Sequence, residues 1–238
     1  IDIDSETVDT PVYFPVRCGA VYDEEGNSEI QGDDTGDNIS KLRMSFCEFT
    51  VQYWAWKNVD ADYYGLCHYR RYLSFSDKRY KNTVFNMVRE LKLTPHEKKK
   101  YHLDDTKKIE KTVKQYDMII PVVAKASEMS YNRAEVKTLR EMWESYNGVY
   151  FEQGIIDKMF SLIKEYSPEY YNSACEYFSG KYHRAFNCYI MKKELFVRMC
   201  EFQFPIMKRI TEITDCKTYE RAPGYIGELL NGIFIHHM

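Results

Sequence analysis

The residues best suited to chemistry lie together where an aromatic, strand-like run ends. The segment 62–72 reads DYYGLCHYRRY and closes with His68, Tyr69, Arg70 and Arg71. Arginine forks match phosphate oxygens bidentately, and aromatic faces take bases or sugars. The pattern therefore indicates a site for an anionic ligand that carries a flat ring. An edge strand that runs into a solvated basic turn accounts for the same residues, because adjacent arginines are common on protein surfaces.

A loop rich in aspartate precedes the first predicted helix. Residues 32–40 read GDDTGDNIS and include Asp34, Asp37 and Asn38. Such a loop could hold a ribose through carboxylates, a base edge through an amide, or a hard cation such as magnesium, manganese or calcium. A turn that only caps the following helix is the alternative.

Two later segments combine ionisable groups with turns. Residues 183–187 read HRAFN, where His183 is a candidate ligand contact or acid–base group, although a lone histidine is more often structural. Residues 220–228 bring Glu220, Arg221 and Glu228 around a tight turn. A carboxylate near a helix start could act as a general base toward a hydroxyl, and a salt-bridged surface turn is the alternative.

The bulk properties exclude several classes of protein. The 238 residues suit one domain, or one domain with a helical appendage. A net charge of −3 argues against a dedicated nucleic-acid binder. No apolar run is long enough to span a bilayer, so membrane contact could only be peripheral. The seven cysteines include no CxxC pair, which argues against a zinc knuckle and favours a reducing cytoplasm.

Hydrophobic periodicity predicts alternating strands and helices along the chain. We expect a helix from Ser40 to about Asn58, strands at 62–68, 116–121 and 185–191, and helices at 134–147, 153–166, 168–178, 193–213 and 225–235. This order predicts an α/β layered fold with a mainly parallel sheet flanked by helices, plus a helical C-terminal half. Sites in such folds gather at the carboxyl ends of strands, which is where His68 and Arg71 fall.

Six blocks of sequence, in order and at compatible spacing, resemble one family over nearly the whole chain. The blocks are GDDTGDNIS (32–40), CEFTVQYWAWKN (47–58), DYYGLCHYRRYL (62–73), YDMIIP (116–121), HRAFNCYIMKKELF (183–196) and RAPGYIGELL (221–230). The chain resembles the bacterial capsular-polysaccharide and exopolysaccharide glycosyltransferases long filed as a domain of unknown function, which are assigned to the GT-A nucleotide-diphospho-sugar transferase superfamily.

The resemblance implies a GT-A-like, Rossmann-type domain over residues 1–238, with a nucleotide-binding part at 1–125 and a helical, acceptor-binding part at 126–238. It implies transfer from a nucleotide diphosphate sugar to a hydroxyl of a capsular or exopolysaccharide intermediate, including a lipid-linked one. The expected donor is a UDP-hexose such as UDP-galactopyranose or UDP-galactofuranose. The expected location is the cytoplasm, including the inner face of the membrane.

The family likeness also suggests how the donor diphosphate is held. GT-A enzymes usually bind it through a metal at an Asp-x-Asp motif, but the comparable strand end here reads His68-Tyr69-Arg70. We therefore expect Arg70 and Arg71 to neutralise the diphosphate directly, without a metal cofactor. A manganese or magnesium ion recruited by Asp34, Asp37 or His68 is the alternative.

Roles for the remaining candidates follow from the same resemblance. The nucleoside is assigned to Asp37 and Asn38 with help from Arg17, although the His-Lys pair that usually opens the family is absent from residues 1–10. The sugar and acceptor region is assigned to His183, Asn187, Arg221 and Tyr225. Glu228 is the expected base of an inverting displacement, with Glu220 as its substitute, and a retaining mechanism stays open.

Two other functions fit the same residues. An aromatic content of 16% and the missing Asp-x-Asp motif suit a non-catalytic carbohydrate or nucleotide-sugar binding module. The aspartate loop at 32–40 suits a metal-dependent phosphotransferase or nucleotidyltransferase.

Overall fold

The computed structural model describes residues 7–23, 29–68, 70–78, 80, 88–90, 92–184 and 186–238. Its helices are α1 (Arg43–Phe46), α2 (Phe49–Asn58), α3 (Pro95–Lys100), α4 (Thr106–Val113), α5 (Leu139–Glu144), α6 (Ile155–Tyr166), α7 (Tyr171–Ser179), α8 (Lys193–Ile213) and α9 (Ala222–His237). Its strands are β1 (Val16–Arg17), β2 (Gln31–Gly32), β3 (Tyr63–Leu66), β4 (Arg71–Tyr72), β5 (Val88–Arg89), β6 (Met118–Ile119), β7 (Ala124–Lys125), β8 (Tyr182–His183) and β9 (Tyr189–Lys192).

The central sheet has the strand order β3-β9-β6. Strand β9 runs antiparallel to both neighbours, with Tyr64 opposite Met191 and Ile119 opposite Ile190. The expected α/β class and the helical C-terminal half are therefore confirmed, whereas the expected mainly parallel sheet is wrong for the described strands. The strands β3 and β6 do run parallel to each other, but they do not pair, because β9 lies between them and is antiparallel to both. Of the smaller pairs, β1–β2 is parallel, and β4–β5 and β7–β8 are antiparallel.

The core is built around α9, whose sequence is apolar on all sides. Such a helix must be buried, and α9 packs against α8, α7 and α1. Gly227 allows a close approach, because a Cβ at this position would lie 2.7 Å from the ring of Phe49. The helix thus carries Glu228 to the edge of the core, where its side chain is half-buried.

The helix predicted from Ser40 to Asn58 is broken in the middle. A 3₁₀ turn (Ser40–Leu42) and α1 are followed by Cys47, whose φ of 52° is left-handed and rare for a residue with a Cβ. The carbonyl of Cys47 accepts a hydrogen bond from the thiol of Cys18 at 3.1 Å, and the hydroxyl oxygen of Thr50 also lies 3.1 Å from it. The break places Glu48 just ahead of α2, instead of inside a continuous helix.

Other predicted boundaries agree to different extents. Helix α8 occupies the predicted residues 193–213. Helix α9 begins three residues before the expected 225, with Pro223 in its first turn. Helix α5 is shorter than expected because Thr138 and Glu141 form a capping box that starts it late. Among the described residues, no helix has the length and apolarity needed to cross a membrane.

Candidate active site

A tight turn after β3 brings His68 and Arg71 together. The N–H of Arg71 donates to the carbonyl of His68 at 2.8 Å, and the N–H of His68 donates back at 3.1 Å. Tyr69 lies outside the described residues, and Arg70 lies within the turn. Arg71 reaches toward the segment before β9, with its Nη1 atom 3.4 Å from the carbonyl oxygen of Phe186.

Glu48, at the start of α2, places a carboxylate near this turn and the segment before β9. Glu48 accepts a hydrogen bond from Nδ2 of Asn187 at 3.0 Å. Arg221, at the beginning of α9, approaches the residue before Glu48: its Nε atom lies 3.3 Å from the thiol of Cys47. The break at Cys47 therefore turns Glu48 toward the end of β3, the segment before β9 and the start of α9.

The imidazole of His68 responds to the charges of this cluster. Burial lowers the pKa of His68 to about 4; the carboxylate of Glu48 opposes the shift, and the guanidiniums of Arg71, Arg70 and Arg221 add to it. His68 is thus neutral near pH 7.

Glu228 is the titratable carboxyl of the site. Burial raises the pKa of Glu228 to about 7; Glu48 adds to the rise, while the nearby Arg71 and Arg221 oppose it. A carboxyl with this pKa exchanges its proton near neutrality, which is what a general base requires. Glu220, its predicted substitute, lies on the exposed turn before α9.

His183 occupies a core position. Its side chain has no exposed surface, its Nδ1 atom lies 2.9 Å from the hydroxyl of Tyr177, and its ring meets Phe186 edge-on at 4.5 Å. Burial, with a contribution from Arg71, lowers the pKa of His183 to about 3. The core encloses the ring, and the sugar or acceptor role of His183 stays a prediction.

Tyrosine rings border the cluster on the side of α9. Tyr225 stacks on Tyr150 at a centroid distance of 4.5 Å, and Tyr150 stacks on Tyr146 at 4.8 Å. The guanidinium of Arg221 lies over the ring of Tyr225 at 5.6 Å. Arg221 and Tyr225 thus lie side by side, and their shared sugar or acceptor role stays a prediction.

The residues assigned to the nucleoside lie at the other end of α2. The amide of Asn58 bonds the backbone of Asp37 in both directions, at 3.2 and 2.8 Å. Ten residues separate Asn58 from Glu48, which is roughly 15 Å along a helix. The side chain of Asn38 forms hydrogen bonds within its own loop, and Arg17 forms an ion pair with Asp23. The nucleoside roles of these residues stay predictions.

The alternative metal site is not assembled in the described part of the chain. There, no three His, Cys, Asp or Glu side chains are placed to share an ion. Asp37 lies near Asn58, at the far end of α2 from His68. Asp33, which is next to Asp34 in the sequence, is a structural group. Both oxygens of Asp33 accept hydrogen bonds, from the N–H groups of Gly19 and Ala20 and the hydroxyls of Ser40 and Thr50. The metal requirement of the donor site stays a prediction.

Glu48 is the site residue that the sequence analysis did not assign. It reads as an interior position of a continuous helix, so its direction depends on the break at Cys47. The sequence feature that could have pointed to Glu48 is its position as a charged residue at the start of a largely apolar and aromatic run, CEFTVQYWAW.

Comparison with known proteins places this arrangement in a family. The family model described as a domain of unknown function (DUF4422) matches residues 3–238. A solved structure, the bifunctional glycosyltransferase WbbM in its apo form, has a TM-score of 0.83 and 25% sequence identity. The match covers 99% of this chain and 41% of that one, so this chain spans less than half of the larger protein. No curated protein matches. The chain belongs to the DUF4422 family, and it has the α/β fold of a region of a glycosyltransferase.

Proposed function

We propose that the protein is a glycosyltransferase that moves a sugar from a nucleotide diphosphate sugar to a hydroxyl of a glycan. The observation that carries the proposal is Glu228, a carboxyl with a pKa of about 7 beside Arg71 and Arg221. The likeness to WbbM supports it, since that protein is named a bifunctional glycosyltransferase and the match runs over nearly all of this chain.

The finer parts of the proposal rest on the sequence resemblance. They are a GT-A type of fold, a UDP-hexose donor such as UDP-galactopyranose or UDP-galactofuranose, and a capsular or exopolysaccharide acceptor, including a lipid-linked one. The cytoplasm, including the inner membrane face, is the proposed location.

The arginines supply positive charge for the leaving group. When the bond between the anomeric carbon and the phosphate oxygen breaks, its electron pair leaves with the nucleoside diphosphate. Arg71 is the first residue of β4, directly after the turn that follows β3, and Arg70 precedes it in that turn. Guanidinium groups at this position stabilise the charge that develops on the diphosphate.

Glu228 provides the base for the incoming hydroxyl. The acceptor oxygen attacks the anomeric carbon while its proton passes to the carboxylate of Glu228, and the configuration inverts. A base with a pKa near the working pH combines an ionised form with enough basicity to take the proton. Arg221, just before α9, and Tyr225, in its first turn, lie near Glu228 and are placed to hold the acceptor.

Arg71→Gln tests the donor site directly. We expect it to weaken UDP binding by about 1.5–3 kcal/mol, the range for a hydrogen bond to a charged group. Isothermal titration calorimetry of the folded variant measures the loss, and Arg70→Ala tests the neighbouring guanidinium in the same way. Arg209→Gln is the matched control, since Arg209 pairs with Glu212 on the surface of α8. Unchanged UDP affinity in Arg71→Gln would remove this arginine from the donor site.

Turnover separates the transferase from the other candidates. The wild-type protein is incubated with a panel of UDP-sugars and glycan acceptors, with and without EDTA. Glu228→Gln should abolish transfer while it leaves UDP binding in place. Tight UDP binding without turnover on any pair would instead identify a non-catalytic binding module. Phosphoryl or nucleotidyl transfer that is lost with EDTA and with Asp34→Asn, but not with Arg70→Ala, would identify a metal-dependent phosphotransferase or nucleotidyltransferase.

A further inference from the structure

A continuous line of buried polar side chains crosses the core and ends on Glu48. Its five members come from β9, α2, α8, α9 and the segment before β9, and none is more than 3% exposed: Tyr189, Gln52, Gln203, Asn231 and Asn187. We call these five side chains the amide relay. It joins elements that are distant in sequence, and it ends at the candidate active site.

Each link of the amide relay is a well-formed hydrogen bond. The distances are 2.8 Å from Tyr189 to Gln52, 2.7 Å from Gln52 to Gln203, 2.8 Å from Gln203 to Asn231, 2.7 Å from Asn231 to Asn187, and 3.0 Å from Asn187 to Glu48. All five fall within the range of protein hydrogen bonds.

Every link has the same direction. Each amide accepts through its oxygen from the preceding side chain and donates through its nitrogen to the next, and the last nitrogen donates to the carboxylate of Glu48. Because a carboxylate can only accept, it fixes the direction of Asn187, and each amide then fixes the one behind it. Aligned hydrogen bonds polarise one another, so the positive end of the line faces the negative charge.

Side branches hold the middle of the line. Gln203 also donates to the backbone carbonyl of Gly227 at 2.6 Å, and Gln52 lies 3.6 Å from the thiol of Cys200. Buried amides cost free energy unless they are bonded, and apolar side chains of similar shape can fill a core at least as stably. Packing alone therefore does not account for four amides in succession that end on a carboxylate of the candidate site.

We propose that Asn187, Asn231 and Gln203 are positioning residues that hold the carboxylate of Glu48 in the active site, with Gln52 and Tyr189 anchoring the far end. The inference deepens the proposed function and rests on it for the role of the site. Glu48 then serves as a fixed negative charge among His68, Arg71 and Arg221, while Glu228 exchanges the proton. Asn187 acts through Glu48 in this scheme, and it does not contact the sugar.

The experiment uses a readout that needs no substrate. The side-chain carboxyl carbons are labelled with ¹³C-glutamate, and the titration of Glu228 is followed by NMR in the full chain. The negative charge of Glu48 raises the pKa of Glu228. Asn231→Leu should release Glu48 and move the titration of Glu228 to lower pH by about half a unit or more. Glu48→Gln should do the same, and the double variant should show no further shift.

The controls separate positioning from stability. Ile233→Ala opens a cavity at a buried position of the same helix outside the amide relay, and it should leave the titration near pH 7. The other groups that act on or respond to Glu228, namely Arg71, Arg221, Cys47, Tyr177 and Tyr225, are unchanged in all these variants. Gln203→Met breaks the line with a nearly isosteric side chain, and it serves as the second variant if Asn231→Leu does not fold.

Kinetics complete the test. With an active donor from the UDP-sugar panel, Asn231→Leu should lower kcat about tenfold or more with KM within twofold of wild type, and it should cause no extra loss in the Glu48→Gln background. An unshifted Glu228 titration in folded Asn231→Leu or Gln203→Met overturns the positioning role whether or not the protein transfers sugar. The expected NMR shifts without turnover on any donor would support the positioning and contradict the proposed function.

Discussion

Two carboxylates share the candidate active site, and their surroundings differ. Glu48 receives a hydrogen bond from Asn187 at the end of the amide relay, whereas Glu228 lies on α9 with a pKa raised to about 7. Different surroundings of this kind assign different tasks to a pair of carboxyl groups. Glu228 is suited to proton transfer, and Glu48 is held in place as a hydrogen-bond acceptor.

The raised pKa of Glu228 predicts a dependence of stability on pH. This pKa is about 7 in the folded protein, against an ordinary value of 4.5. Between these values the folded state holds a proton that the unfolded state has lost, so the free energy of unfolding falls as the pH rises from 4.5 to 7. Glu228→Gln should therefore stabilise the protein at pH 8 by about 1–3 kcal/mol, with partial exposure taken into account, and change it little at pH 4.

Urea unfolding at pH 4 and pH 8 measures this effect. Glu220→Gln is the matched control, because Glu220 lies on the exposed turn just before the same helix, and its midpoint should not change at either pH. An equal gain for Glu228→Gln at both pH values would show that ionisation is not the cause.

The sequence allowed part of this site to be predicted. His68, Arg71, Arg221 and Glu228 lie in distinctive motifs, and the structure brings them together. Glu48 could not be predicted, because its direction follows from the left-handed Cys47, and this conformation depends on contacts with Cys18 and Arg221 from distant parts of the chain. His183 carries the right chemistry for a ligand contact, but tertiary packing encloses it.

At the scale of elements, Asp33 fastens the first part of the chain to α2. Its carboxylate bonds the backbone at Gly19 and Ala20 at 2.9 and 3.0 Å, and the hydroxyls of Ser40 and Thr50 at 2.5 Å. Four donors from three segments meet one buried side chain. The aspartate loop therefore has a structural role that its resemblance to a cation site concealed.

Asp33→Ala should destabilise the protein by about 3 kcal/mol, since it leaves buried donors without a partner. Asp34→Ala is the control, because the neighbouring aspartate is exposed and its loss should change stability by less than about 0.5 kcal/mol. Chemical denaturation of the two variants measures the difference. Equal effects would contradict the structural role of Asp33.

Sequence periodicity located the elements better than it oriented them. The burial pattern of β9, with Tyr189 and Met191 inside, identifies a strand in either direction. Alternation of helices and strands then suggested parallel neighbours. The direction of β9 in the structure depends on the consecutive left-handed residues Phe186 and Asn187, which redirect the chain just before this strand. Positive φ at two ordinary residues is a tertiary effect that propensity does not predict.

At the scale of the whole molecule, the predicted nucleotide-binding and acceptor-binding parts are not separate. The first part supplies β3 and β6, and the second supplies β9 between them. One apolar cluster joins Phe46 and Phe49 to residues of α6, α8 and α9. The two parts should therefore unfold together.

Tryptophan fluorescence can test this cooperativity. Trp54 and Trp56 report on the first part, and Trp143 reports on the second. We expect Trp143→Phe and the double variant Trp54→Phe/Trp56→Phe each to give a fluorescence transition that coincides with circular dichroism of the same variant in urea. Separate fluorescence and circular-dichroism midpoints within either variant would indicate two independently folding units.

The late position of β9 also bears on how the protein is made. A ribosome releases the N-terminal residues first, so β3 and β6 emerge long before the strand with which both of them pair. Until then the nascent chain presents unpaired strand edges, which favour association with other chains or with chaperones. Completion of the sheet and assembly of the candidate site should consequently coincide, once β9 and α9 have left the ribosome.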